Sequence, residues 1–88
     1  MHIIYTRAIT KDARKIKDEK TKADIRKLIE ILEKAISLKD IPNIKKLKGH
    51  PEAYRIRIRD YRLGLYCDGK NIVLSRLLKR NDIYKVFP

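Results

Sequence analysis

The 88-residue chain has no tryptophan, one phenylalanine, one methionine, one cysteine, three glycines and three prolines. A lone cysteine, Cys67, forms no disulfide within the chain, and its strand-like surroundings suit a packed thiol in a reducing cytosol. Two histidines and one cysteine make no zinc spacing, so neither metal nor cofactor is expected. The scattered glycines build no phosphate-cradling loop, and no serine–histidine–aspartate set can be assembled. No apolar run approaches the ~18 residues of a membrane span, and no signal-peptide pattern opens the chain. The expectation is a cytoplasmic protein without a membrane partner. Acid is scarce as well: 11 Asp and Glu stand against 23 Lys and Arg, a net charge of +12. The hydrophobic share of 43% is too high for a disordered tail, and the length suits one domain, residues 1–88. A charge this large on so small a body points to a polyanionic partner: nucleic acid, ribosome or an acidic protein.

The charge changes character along the chain. Residues 1–53 carry mostly lysines interspersed with Asp and Glu, the pattern of a solvated helix surface. Residues 54–88 carry six arginines and only three acids. A guanidinium fork matches phosphate oxygens bidentately, which a lysine point charge does not. The second part is where the chemistry is expected.

Hydrophobic spacing divides the chain into elements. His2 to Tyr5 reads as a strand, and Arg7 to about Asp18 as a helix capped by Thr6. Thr21 with Asp24 resembles a capping box. Behind it Ile25, Leu28, Ile29, Leu32, Ala35 and Ile36 mark one face of a second helix. Asp40 to Glu52, broken by Pro42, Gly49 and Pro51, reads as a loop bearing Lys45, Lys46 and Lys48. Three strands follow, from Tyr54, Tyr61 and Ile72, and Asn81 caps a short tail helix. The expected fold is α+β: strand, helix, helix, three antiparallel strands and a short C-terminal helix, with helices on one face of a mainly antiparallel sheet.

Strand register sorts the arginines. A two-residue turn at Arg59-Asp60 sets Arg57 opposite Arg62 and Arg55 opposite Gly64. A two-residue turn at Asp68-Gly69 sets Leu65 opposite Ile72 and Arg62 opposite Ser75. Tyr54, Ile56, Ile58, Tyr61, Leu63, Leu65, Cys67, Ile72 and Leu74 then share the core face. Arg55, Arg57 and Arg62 share the other, with Gly64 leaving an open spot between them. Like charges directly opposite across a sheet repel by up to about 1 kcal/mol, and a bound phosphate reverses the sign. Strict alternation beyond Leu74 would send Arg76, Leu78 and Arg80 into the core. A bulge or strand end near Arg76 to Leu78 is therefore expected, turning Arg80 outward.

Four stretches carry a family resemblance: Lys46-Leu47-Lys48-Gly49, Tyr54-Arg55-Ile56-Arg57-Ile58, Asp60-Tyr61-Arg62-Leu63 and Lys79-Arg80-Asn81-Asp82-Ile83-Tyr84. Together they resemble the RelE/ParE superfamily of type II toxin–antitoxin toxins, most closely the RelE-type mRNA interferases. The order of elements is also that of the RelE-like fold, so the resemblance spans essentially the whole chain. It implies ribosome-dependent, metal-free cleavage of mRNA in the A site, through attack of a 2′-hydroxyl on the adjacent phosphate. It also implies a cognate acidic antitoxin, with operator DNA bound by the complex through that antitoxin.

The resemblance assigns the catalytic places to Arg55, Arg57, Arg62, Arg80 and Tyr84, with Tyr84 stacking on or orienting the target base. Lys45, Lys46, Lys48, Lys79 and Arg76 are the expected contacts to the RNA backbone. One departure bears on mechanism. Well-known RelE-type enzymes carry lysines where this chain has Arg55 and Arg57, and arginine stays protonated. The proton acceptor is left to Lys79, or proton removal contributes little. Two other readings stay open at this stage: a ParE-like inhibitor of DNA gyrase, and a non-catalytic nucleic-acid-binding toxin fold. Arg62, Arg80 and Tyr84 together separate them, because a gyrase binder needs no such set.

Overall fold

Thr6 closes the first strand and opens the first helix. Its backbone is extended and its hydroxyl accepts from the Ile9 amide at 3.2 Å, capping α1 (Arg7–Arg14) behind β1 (His2–Tyr5). The computed structural model describes all of residues 1–88. α1 ends at Arg14, short of the expected Asp18, and Ile16 in the connection drops into the core at 2% exposure. α2 (Glu19–Lys34) starts earlier than expected. Its cap is Asp18, whose carboxylate accepts from the Thr21 amide and hydroxyl at 3.0 and 2.6 Å. Those bonds hold the Asp18 carboxyl below its usual pKa. Thr21 is thus a buried first-turn residue, not the cap.

The chain leaves α2 at Ala35 in an extended conformation, so Ile36 points to solvent and does not extend the apolar face. A 3-10 turn, Leu38–Asp40, follows, with the Asp40 carboxylate accepting from the Ile36 and Ser37 amides. No helix is long and apolar enough to cross a membrane.

The sheet has five strands in the order β1-β5-β4-β3-β2. They are β2 (Ile44–Lys46), β3 (Ala53–Ile58), β4 (Tyr61–Cys67) and β5 (Asn71–Lys79), with β1 parallel to β5 and the other pairs antiparallel. β2 lies in the stretch expected to be loop. It pairs with β3 over three residues, Ile44 opposite Ile56, Lys45 opposite Arg55 and Lys46 opposite Tyr54.

The β3–β4 register is the expected one, with Arg57 opposite Arg62 and Arg55 opposite Gly64. At the turn Arg59 takes φ 54°, a left-handed conformation that a two-residue hairpin turn of this hand demands. The β4–β5 turn is longer than two residues. The Asp68 carboxylate accepts from the Lys70 and Asn71 amides at 2.9 and 2.8 Å, and Gly69 takes φ +94°. Leu65 therefore pairs with Leu74 and not Ile72. A slip of two residues keeps every side chain on its face. One residue further on, the phase does change: Leu65 pairs with Leu74 but Gly64 with Arg76, so Ser75 is an extra residue. Beyond this bulge Leu77 lies opposite Leu63, and Arg62 faces Leu78 instead of Ser75.

α1 and α2 cover one face of the sheet. Ile9, Ile16, Leu28 and Leu32 pack with Ile56, Ile58, Leu63, Leu65, Cys67, Ile72, Leu74 and Leu77. Burying each of the larger side chains stabilises the fold by about 1.5–3 kcal/mol. α3 (Arg80–Val86), capped by Lys79 and not by Asn81, lies on the opposite face. There Ile83 and Phe87 join Leu47 and Ala53 in a second, smaller core, with Leu78 against it.

The open spot expected at Gly64 is filled. A Cβ built there would meet the Phe87 ring at 2.7 Å, and Phe87 also packs against Tyr66 with centroids 5.2 Å apart. Gly64 is the floor on which the tail rests. Gly64→Ala is expected to displace Phe87 and lower stability by about 1–3 kcal/mol. Chemical denaturation would measure it, and a midpoint equal to the parent's would refute the close fit.

Candidate active site

Three elements supply the candidate side chains. β3 presents Arg55 and Arg57, β4 presents Arg62, and the start of α3 presents Arg80 and Tyr84. Together with Asn43, Ile44 and Lys45 they line a cleft of about 350 Å³. Pleat alternation explains the first three, which share the face away from α1 and α2. The bulge at Ser75 explains the last two, because it turns the end of β5 outward before α3 begins.

The cleft is cationic without compensation. The ion pairs of the chain are Lys22–Glu19, Arg59–Asp24 and Arg76–Asp12, and none involves Arg55, Arg57, Arg62 or Arg80. No group of three His, Cys, Asp or Glu side chains is placed to hold a metal ion. Four guanidinium groups facing one concavity are mutually repulsive when it is empty and cooperative around a phosphate.

Two side chains are fixed by local bonds. One terminal nitrogen of Arg62 donates to the Arg59 and Tyr61 carbonyls at 3.0 and 2.9 Å. Tyr84 is held from two sides. The Arg55 guanidinium lies 4.6 Å from its ring centroid, and Arg80 Nε donates to its hydroxyl at 3.4 Å. The Arg80 bond, with the charges of Arg80, Arg55 and Arg62, lowers the Tyr84 pKa from its usual value. The same bond raises that of Arg80. One face of the Tyr84 ring is thus already occupied by Arg55.

The lysines spread around the cleft. Lys45 lines it, whereas Lys46 and Lys48 border a neighbouring recess with Gly49, His50 and Pro51. Lys79 lines a third recess that shares Arg62 and Arg80 with the cleft, so it stands beside the arginines, apart from Tyr84. Arg76 does not join them. Its guanidinium is bound to the buried carboxylate of Asp12 on α1, at 2.8 and 3.2 Å, and lines neither the cleft nor the two recesses beside it, unlike the other expected RNA contacts. Asn43, at φ 60°, and Ile44 complete the cleft without having been singled out in the sequence. The only local hint is that Ile44 and Leu47 flank two lysines between Pro42 and Gly49, too short a stretch to mark a strand.

No family model matches the chain. It is 35% identical over 89 residues to the toxin RelE3 of Methanocaldococcus jannaschii, covering 100% of both proteins. Its fold is similar to the RelB–RelE antitoxin–toxin complex from Methanococcus jannaschii, with a TM-score of 0.80, 32% identity, and 97% and 99% of the two chains covered. It is also similar to the intact RelBE toxin–antitoxin complex of E. coli, with a TM-score of 0.62, 27% identity, and 89% and 94% covered. With 35% identity over its full length to a RelE toxin, and the matching fold, the chain belongs to the RelE family of toxins.

Proposed function

We propose that this toxin, acting as a single domain of residues 1–88, is a ribosome-dependent endoribonuclease that cleaves mRNA in the A site. The reading rests above all on one observation: four unpaired arginines and a polarised tyrosine line one cleft. The 2′-hydroxyl of the target nucleotide attacks the adjacent phosphate, leaving a 2′,3′-cyclic phosphate and a free 5′-hydroxyl. Arg62 and Arg80 stabilise the charge that gathers on the phosphoryl oxygens. Arg55 and Arg57 hold the flanking backbone. Neither is a proton acceptor, but the Tyr84 hydroxyl, with its lowered pKa, suits that task better than Lys79 in its separate recess. Lys45, Lys46 and Lys48 extend the cationic surface along the RNA.

The test is addition of the protein to ribosomes programmed with mRNA, followed by primer extension and analysis of the cut ends. Cuts within the A-site codon ending in cyclic phosphate are expected. Intact mRNA with arrested replication in cells would replace this reading by the gyrase one.

The partner that restrains such a cleft is an acidic antitoxin, as in the RelB–RelE complexes named above, and the complex would bind operator DNA through it. With net charge +12, association is steered electrostatically. The association rate, followed by stopped flow, is expected to fall steeply as salt rises. A rate indifferent to ionic strength would contradict it.

A further inference from the structure

Asp12 is the one charged side chain buried in the chain, at 4% exposure, and it lies on α1, across the sheet from the cleft. Its two carboxylate oxygens take Arg76 Nε and Nη2 at 2.8 and 3.2 Å, and Oδ2 also accepts from the Leu77 amide at 2.9 Å. A buried carboxylate with three donors is fully satisfied. The residues it holds, 76 and 77, directly follow the extra residue Ser75. On the preceding side, Thr6 Oγ1 donates to the Leu74 carbonyl at 2.8 Å and approaches the Ser75 carbonyl at 3.4 Å. The two ends of α1 therefore bracket the bulge.

The bulge decides where Arg80 goes. With Ser75 absorbed into the ladder, Arg76 would lie opposite Leu63 on the core face, and the strand beyond would be inverted with it. In the bulged register Lys79 lies opposite Tyr61, and the Arg80 amide donates to the Asp60 carbonyl at 3.0 Å. That register delivers Arg80 and Tyr84 to the cleft. We propose that α1, through Thr6 and Asp12, clamps the β5 bulge and thereby positions Arg80 and Tyr84 for catalysis. The catalytic consequence rests on the endonuclease reading; the positioning does not. Asp12 is a positioning residue, acting from the far side of the sheet.

The experiment uses the full chain with 13Cζ-labelled tyrosine, the Tyr84 signal being identified by its absence in Tyr84→Phe. Arg80, Arg55 and Arg62 are the charges facing that hydroxyl. Asp12→Asn keeps an oxygen for the Leu77 amide but withdraws the charge from Arg76. In the folded variant the Tyr84 titration is expected to move up toward that of an ordinary tyrosine. Cleavage on programmed ribosomes should fall by roughly 10²-fold, the cost of a small misplacement relayed from a distance. Ribosome affinity should be unchanged. A general loss of stability would leave Tyr84 in the folded fraction titrating as in the parent, and that result overturns the proposal. Should Asp12→Asn not fold, Thr6→Val, which loses the hydroxyl at the other end of the clamp together with its cap on α1, is read in the folded fraction by the same criterion. If the parent itself does not cleave RNA, the endonuclease reading fails while the Tyr84 titration still decides the clamp.

Discussion

Arg62→Ala is expected to lower single-turnover cleavage on programmed ribosomes by roughly 10²–10³-fold, the loss typical of one preorganised donor. The side chain is already oriented. One terminal nitrogen donates to the Arg59 and Tyr61 carbonyls, which leaves Nε and the second terminal nitrogen without a hydrogen bond in the chain on a side chain that lines the cleft. An edge of two parallel N–H groups grips two phosphoryl oxygens with no further reorganisation. Ribosome binding is expected to survive the substitution, since many other lysines and arginines supply phosphate contacts. The measurement is cleavage rate and affinity determined separately. If Arg62→Ala cleaves at the parent's rate, Arg62 takes no part in stabilising the transition state.

The legibility of this site in the sequence follows from local physics. Arg55, Arg57 and Arg62 could be grouped because a two-residue turn at Arg59-Asp60 fixes pairing over only four or five residues. Over so short a span the alternation of side chains has no room to slip. The β4–β5 pairing differs by two residues from the expected one because the Asp68 carboxylate also caps its own turn, accepting from two amides in a way that a glycine signal does not announce. The parity survived, and with it the core face. The bulge was legible as a contradiction: charges on the core side of β5 demanded a phase change, and it occurs one residue before Arg76.

What the sequence hid depends on contacts between distant elements. Nothing local reveals that Asp12 reaches 64 residues along the chain to Arg76, whose guanidinium reads in the sequence as a free cation. Gly64 read as an opening because the ring that fills it comes from Phe87, on an element packed across the sheet. β2 was hidden by its own brevity: three residues between Pro42 and Gly49 carry too little alternation to register as a strand. Its place at the sheet edge comes from pairing with β3.

Tyr84→Phe is expected to be the most informative substitution, because it separates the ring from the hydroxyl. The Arg55 guanidinium against the ring needs only the aromatic face, so phenylalanine keeps that contact and RNA affinity is expected to hold. The hydroxyl is lost, and with it the bond from Arg80. A general base contributes about 10²–10⁴-fold, which is the expected fall in cleavage rate. The pH dependence follows from the sign of the shift. Arg80 first, then Arg55 and Arg62, lower the Tyr84 pKa from 10.0, so the base form appears at a lower pH than in a free tyrosine. The parent rate should therefore rise with pH, with its midpoint below that of an ordinary tyrosine, and Tyr84→Phe should flatten that rise. Arg80→Ala removes the principal cause of the shift, so it should move the rise to higher pH besides lowering the rate. A role confined to stacking predicts otherwise: Tyr84→Phe close to the parent and only Tyr84→Ala impaired. Single-turnover rates across pH for the three variants decide between them, and a Tyr84→Phe enzyme with the parent's rate and profile would remove Tyr84 from the proton transfer.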